Sequence, residues 1–315
     1  MRLIVSRSLC PYFHLAAESF FLQQSDENIL LIWQSESAVV SGKHQNICAE
    51  INYKFCKENN ILPARRLSGG GTVFHDMGNI NFTFIKNIET EMDKAVNYKQ
   101  FLEPIRKTLL SLGIETTYSH RDDLLLDGKK ISGNAQHVFQ QKKRVLHHGT
   151  LLYDCQLTNL SKALHSEGQY EDKAVKSVRS VVTNIKDYHN FGETQNFLVT
   201  FINELSNSFG AAQFLSENEV QRIDEIKKEK FELEEWILGY SPKYIHRRSV
   251  SLNNKKFQLY LFVYKGIVME MELFIEGGEK SFQTETFECI SKPISIETFK
   301  TGFPQISETE LYQFL

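Results

Sequence analysis

The chain's densest chemistry lies between residues 65 and 84: Arg65-Arg66-Leu67-Ser68-Gly69-Gly70-Gly71-Thr72-Val73-Phe74-His75-Asp76-Met77-Gly78-Asn79, followed by Ile80 to Phe84. Three consecutive glycines let a backbone pass close to a ligand and take positive φ without steric cost. Paired guanidiniums offer fork-shaped donors to a carboxylate or a phosphate. Further along, Asp122 and Asp123 set two hard oxygen ligands side by side, a type that suits magnesium held against substrate phosphates. Lys130 follows an Asp127-Gly128 turn, and His148 precedes Gly149-Thr150. Plainer readings exist for several of these. A glycine triplet is also what a simple turn shows, Phe74 fits any buried strand, His75 could be a core histidine satisfied by Asp76, and Glu18 could be a solvated helix carboxylate.

These groups need elements to hold them. Leu3 to Val5 reads as a strand, and Pro11 opens a helix carrying Phe13, Ala16, Ala17, Phe20 and Phe21 at helical spacing. Ile29 to Trp33 and Ala38 to Ser41 read as a hairpin pair around Ser35-Glu36-Ser37, followed by a helix from about Cys48 to Asn59. The glycine stretch leads into two short strands joined at Asp76-Met77-Gly78-Asn79. A helix is expected from Tyr98 to Leu112, ended by Gly113, and then a strand from Ile114 to Tyr118. Leu124 to Leu126 and Lys129 to Ile131 form the strongest hairpin signal, because Asp-Gly accepts a type I′ turn. A strand pair follows, up to Gln136 and from about Arg144 to Tyr153. Between Ser166 and Val182 periodicity fails, which predicts a mobile loop able to close over ligand. Helices are expected at Glu193 to Phe209 and Glu217 to Leu233. Turn residues at Glu235 to Tyr244 mark a boundary, so residues 1–243 read as one domain and 244–315 as a second, small one. The latter opens with a hairpin, 257–264 against 267–273, and continues as short helices.

Composition narrows the function. The chain has 315 residues, 41% of them hydrophobic, and a net charge of −3. That is enough apolar residue for a sizeable core, with no field for nucleic acid or an anionic membrane. No apolar run approaches a membrane span. The five cysteines are scattered with no metal-ligand pairing, which fits reduced thiols in the cytoplasm.

Arg65-Arg66, Ser68-Gly69-Gly70-Gly71, Val73-Phe74-His75-Asp76 and Gly78-Asn79 resemble the signature of the lipoate-protein ligase A family. Lys130-Ile131-Ser132-Gly133, His147-His148-Gly149-Thr150-Leu151-Leu152 and Ser177-Val178-Arg179-Ser180-Val181-Val182-Thr183-Asn184 match further stretches in the expected order, and the resemblance covers most of the first 190 residues. It implies an α+β fold of mixed, mainly antiparallel sheets flanked by helices, like the biotin ligases and class II aminoacyl-tRNA synthetases, with a small α+β C-terminal domain. It implies that lipoate is activated with ATP and Mg2+ to lipoyl-AMP. The lipoyl group then passes to a lysine of a lipoyl domain in 2-oxoacid dehydrogenases or the glycine-cleavage H protein. Lys130 would be the catalytic residue, touching the acyl oxygen and the α-phosphate. Asp123 would lie at the phosphate side and serve as a metal ligand. Arg66, Ser68, Gly70, Gly71, Val73, Phe74, His75, Asn79, Ala135, His148, Gly149 and Thr150 would line the pocket. Glu18 would lie nearby, as would Gln45 in a similar Gly-basic-x-Gln-Asn stretch. Octanoyltransferases of similar fold carry a cysteine just before the lysine motif, and Tyr118 to Asp123 contain none. Where many ligases have Arg or Lys shortly after Ser-Gly-x-Ala, this chain has Gln136-His137. Alternatives are a lipoyltransferase using preformed lipoyl-AMP or a lipoylated donor, and a non-catalytic subunit that binds lipoyl domains.

Overall fold

The computed structural model describes residues 1–88, 97–164, 168–275 and 278–315. At its centre is a five-stranded mixed sheet in the order β1 (Arg2–Val5), β2 (Ile29–Trp33), β6 (Asn79–Asn87), β11 (Arg144–Leu152), β10 (Asn134–Phe139). Only β1 and β2 run parallel. β2, with the sequence Ile-Leu-Leu-Ile-Trp, is buried at every residue, because the sheet is covered on both faces. On one face Leu30, Ile32, Phe82, Phe84 and Leu151 pack with Leu102, Ile105 and Phe201 from the Tyr98–Ser111 and Thr194–Phe209 helices. On the other, Ile29, Leu31, Ile85 and Leu146 meet Phe13, Ala17 and Phe21 of the Pro11–Gln23 helix and Ile223 of the Glu217–Ile226 helix.

Two small sheets bring the chemical residues to this frame. β4 (Leu62–Arg65), β3 (Ala38–Ser41) and β5 (Val73–His75) form one, and β7 (Thr117–Tyr118), β8 (Leu124–Leu126) and β9 (Lys129–Ser132) the other. The Asp-Gly hairpin is present, with Asp127 at φ 50° and Gly128 at φ 73°. A fourth sheet holds β12 (Gln169–Asp172), β13 (Tyr244–Leu252), β14 (Lys255–Tyr264), β15 (Ile267–Ile275) and β16 (Lys280–Ser281), backed by helices Gln283–Cys289, Ile296–Gly302 and Glu308–Leu311. Its apolar core runs on without a break into Ile47, Cys48 and Tyr53.

Several expectations are corrected. β2 and β3 are not a hairpin pair: both are fully buried, and each finds partners in a different sheet, β2 with β1 and β6, β3 with β4 and β5. The helix expected at Cys48 to Asn59 is two, Ile47–Glu50 and Tyr53–Glu58, because the Asn52 side chain accepts the Phe55 N–H and starts a new helix. The Glu217 helix ends at Ile226 and widens into a π turn, Lys227–Phe231. The strand expected at 114–118 shrinks to Thr117–Tyr118. Of the predicted loop 166–182, residues 166 and 167 lie outside the described residues. Gln169–Asp172 is a strand, paired antiparallel with β13 from Asp172–Tyr244 to Gln169–Arg247.

Candidate active site

Two adjoining cavities, of about 370 and 550 Å³, open between the central sheet and the two small ones. They share Thr72, Val73, Lys130, Gly133, Thr150 and the strap Lys176, Ser177, Val178 and Ser180. Lys130 therefore stands where the cavities meet. Its backbone is pinned on both sides: its N–H donates to the Val181 carbonyl at 3.0 Å, and its carbonyl accepts the Thr183 N–H at 3.1 Å. Its Nζ lies 3.0 Å from Asp123 Oδ2, with both side chains mostly withdrawn from solvent. Asp123 is fixed in turn, its N–H donating to Ser119 Oγ at 3.1 Å and its carbonyl accepting the Ser119 N–H at 2.9 Å. Asp122, at φ 57°, turns away toward Lys99.

The two arginines do not behave as a free anion clamp. Arg65 is fully buried, and its guanidinium donates to the carbonyls of Gly42, Lys43, Gln45, Trp236 and Ile237 and to Ser241 Oγ. It ties the 42–45 loop to the segment leading into β13. Arg66 borders the smaller cavity but spends its donors on Ser68 Oγ at 2.9 Å and the carbonyls of Val40, Gly69 and Gly71 at 2.7–2.8 Å. Burial lowers both guanidiniums to about 10. Arg65 holds the 42–45 loop, and Arg66 holds the glycine loop in shape. Gly70 sits at φ +89°, and a Cβ on Gly42 would lie 2.1 Å from the Gly70 carbonyl oxygen, so the loop closes only with glycine at both places.

His148 borders the smaller cavity and is held from behind by two groups. Its Nδ1 is 2.8 Å from Glu18 Oε1 and its Nε2 is 2.6 Å from Ser68 Oγ. Glu18 Oε1 also accepts the Thr83 hydroxyl at 2.8 Å. The order serine, histidine, carboxylate matches that of hydrolytic triads, but Ser68 is fully buried and lines neither cavity, so it is a support and not an exposed nucleophile. Gln45 is a support too. Its Oε1 accepts the Gly42 N–H and the Thr72 hydroxyl, and its Nε2 donates to Ser177 Oγ, which also accepts the Thr72 N–H at 2.8 Å. The 173–182 segment is thus a tethered strap where the sequence suggested a mobile loop, because Ser177, Val181 and Thr183 are all hydrogen-bonded into the site.

Arg66, Gly70, Gly71, Val73, His75, Asp123, Lys130, Ala135, His148, Gly149 and Thr150 line the smaller cavity, and Phe74 lines the larger. Glu18, Gln45, Ser68 and Asn79 stand behind that wall. Burial pushes His75 down to about 3, so it is neutral. Sequence reading missed Leu15, Trp33, Val40, Asn81, Tyr98, Arg121 and Asn134, all of which line the smaller cavity. One signal was legible: Asn79, Asn81 and Thr83 alternate on a strand whose other face is Ile80, Phe82 and Phe84. The cysteines take no part. All five are unpaired, and burial raises Cys155 well above its ordinary range.

Known proteins resemble this chain in sequence and in fold. Residues 10–209 match the lipoyl protein ligase A/B catalytic domain. The chain is 35% identical to the lipoate-protein ligase LplJ of Bacillus subtilis, over 84% of this chain and 81% of that one. It is 30% identical to lipoate-protein ligase 1 of Staphylococcus aureus, over 84% and 81%. In fold it is similar to P. falciparum LipL1, solved in complex with lipoate (TM-score 0.64, 22% identity, 97% of this chain and 94% of that one). It is likewise similar to a lipoate-protein ligase A solved with ATP bound (TM-score 0.63, 23% identity, 76% and 98%).

Proposed function

We infer the activity from the premise that the chain belongs to the lipoyl protein ligase A/B catalytic-domain family. It is an ATP-dependent lipoate-protein ligase, which activates lipoate to lipoyl-AMP and passes the lipoyl group to a lysine of a lipoyl domain. The observation that carries the assignment of roles is that the two cavities meet at Lys130. The acyl chain takes the smaller cavity, along Leu15, Trp33 and Val40, and the nucleotide takes the larger, beside Phe74, Leu157 and Leu160.

In the first step a carboxylate oxygen of lipoate attacks the α-phosphorus of ATP and pyrophosphate leaves. Two anions must approach each other, and Lys130 sets a positive charge between them before reaction. Asp123 aims that ammonium and keeps it at the junction. Arg121, on the smaller cavity, and Lys176, which borders both, stand on either side of the junction at Lys130 and supply the charge that Gln136-His137 does not. Asp123, a hard oxygen donor on the smaller cavity beside Lys130, is the residue that would hold a Mg2+ ion brought in with the nucleotide, and such an ion would add positive charge at the phosphates. In the second step the acceptor lysine's amine attacks the adenylate carbonyl, the carbon–oxygen bond to AMP breaks, and an amide forms with loss of the amine proton. Lys130 again faces the oxygen on which charge develops. No covalent enzyme intermediate is needed.

The acceptors are lipoyl domains of 2-oxoacid dehydrogenases or the glycine-cleavage H protein. Residues 1–243 form the catalytic domain and 244–315 an accessory domain. Five unpaired cysteines suit the cytoplasm, and no helix among the described residues is long and apolar enough to cross a membrane. The test is pyrophosphate release from ATP by the purified chain with lipoate, with and without an apo lipoyl domain. Release with lipoate alone, followed by a mass gain on the domain, is expected. Mass gain only when lipoyl-AMP is supplied would reduce the enzyme to a transferase.

A further inference from the structure

Strand β6 presents an unusual inward face. Asn79, Asn81 and Thr83 follow one another on it, each at most 1% exposed, while Ile80, Phe82 and Phe84 fill the core on the opposite face. Three successive buried polar side chains need partners. Thr83 has two, donating to Glu18 and accepting the Trp33 indole N–H at 3.2 Å. Asn79 Nδ2 donates to Asn81 Oδ1 at 3.0 Å. Asn81 Nδ2 then has no partner, although Asn81 borders the smaller cavity. His75 Nδ1, on the same wall, is also unpartnered.

The sheet order places this group along the ligand's path. The cavity crosses Asn134 on β10, Thr150 on β11, Asn81 on β6 and Trp33 on β2. Asn81 is the register partner of both Thr150 and Trp33. Lys130 approaches at the β10–β11 end, where a Cβ on Gly133 would lie 3.3 Å from its Cε. Asn81 is two strand spacings from β10, about 10 Å, which is near the reach of an extended medium-length acyl chain.

We propose that Asn81 is a specificity-determining residue: its amide N–H meets the far end of the acyl substrate and favours chains ending in a hydrogen-bond acceptor, such as the ring sulfurs of lipoate, over chains ending in hydrocarbon. The inference rests on the ligase reading. A chain with a plain methyl end leaves a buried donor unmade, and a site built around such a donor rejects the analogue that lacks its partner. Sulfur is a weak acceptor, so the discrimination is modest, about tenfold in kcat/KM.

The test compares kcat/KM for pyrophosphate release with lipoate and with octanoate, which has the same carbon backbone without sulfur, in the unmodified chain and in Asn81→Leu. The lipoate-to-octanoate ratio should fall about tenfold in the variant. An unmoved ratio overturns the proposal, since a merely structural asparagine would lower both values together. If Asn81→Leu does not fold, calorimetry on the unmodified chain decides: lipoate should bind about tenfold more tightly than octanoate, and equal affinities overturn the proposal. Absence of pyrophosphate release with either acid sinks the ligase reading instead, and calorimetry of both acids on the unmodified chain and on Asn81→Leu still judges Asn81: an unchanged lipoate-to-octanoate affinity ratio overturns the proposal.

Discussion

Strands β6 and β14 are both long, antiparallel and flanked on both sides, yet they are built on opposite plans. β14 alternates cleanly. Phe257, Leu259, Leu261 and Val263 point into a core of Phe299, Phe303 and Phe314, while Lys256, Gln258 and Tyr264 face out. β6 turns asparagines and threonine inward and leaves amide atoms of Asn79 and Asn81 without partners. A strand that only supports can bury apolar groups and gain from their removal from water, whereas one that binds keeps polar groups waiting for a ligand and gives up stability to do so. The two arginines repeat this lesson on a smaller scale. Arg65 is wholly engaged in tying segments together, and Arg66 shapes a loop that borders the cavity.

The contrast is broken most sharply at Lys130. Lys130→Ala should cut pyrophosphate release by roughly 10²–10³-fold, the usual loss when one pre-placed group facing developing charge is removed. Its loss leaves the mostly buried Asp123 without its partner, so the melting temperature should fall somewhat while the variant stays folded at the assay temperature. Normal release in a folded variant would remove Lys130 from the chemistry. Phe299→Ala, in the C-terminal core, should do the reverse. Phe299 is fully buried with its ring centroid 5.2 Å from that of Phe314, and its loss should cost about 3–5 kcal/mol in urea unfolding. Because that core is continuous with Ile47, Cys48 and Tyr53, a single shifted transition is expected. Two separated transitions would show that the C-terminal sheet stands alone.

The same contrast explains what could be read from the sequence. Periodicity found the helices at 98–111 and 194–209 and the hairpin 255–275, since each has one apolar face and clear end signals; the helix at 11–23 was legible from its Pro start and apolar residues, although it is buried nearly all round. The ordered motifs brought together the cavity's glycines, Lys130, Asp123 and His148. Pairing was less legible. Ser35-Glu36-Ser37 resembles a hairpin turn, but β2 and β3 enter different sheets, a choice set by long-range burial that local spacing does not record. Gln169–Asp172 is polar and short, so its strand character arises from pairing with β13, distant in sequence. Trp33, Val40 and Tyr98 reach the cavity from elements that look like ordinary core in the sequence. Arg65 and Arg66 misled in the other direction, because a free guanidinium and one spent on carbonyls have the same letter.

Acid should sharpen the comparison by the smallest step per group. Burial lowers His14, His75, His147 and His246 from 6.5 to about 3, and three of the four lie in the catalytic region. The folded state excludes a proton that the unfolded chain accepts. The stability linked to each histidine is therefore fully present above pH 6.5 and is lost as pH falls from there toward 3, by at most about 1.4 kcal/mol per pH unit per histidine. Hydrogen exchange at pH 7 and pH 5 should show a larger loss of protection for 79–87 than for 255–264. His147, packed flat on Phe101 at 5.0 Å, has both ring nitrogens buried without a partner, so a proton there brings an uncompensated charge into the layer on which β6 rests. The C-terminal sheet has only His246, among the described residues, exposed to the same penalty. The difference would come from local opening of β6 short of the shared global transition; equal loss in both strands would mean that both exchange only through that global transition, and that the polar face of β6 is as firmly held as the apolar face of β14.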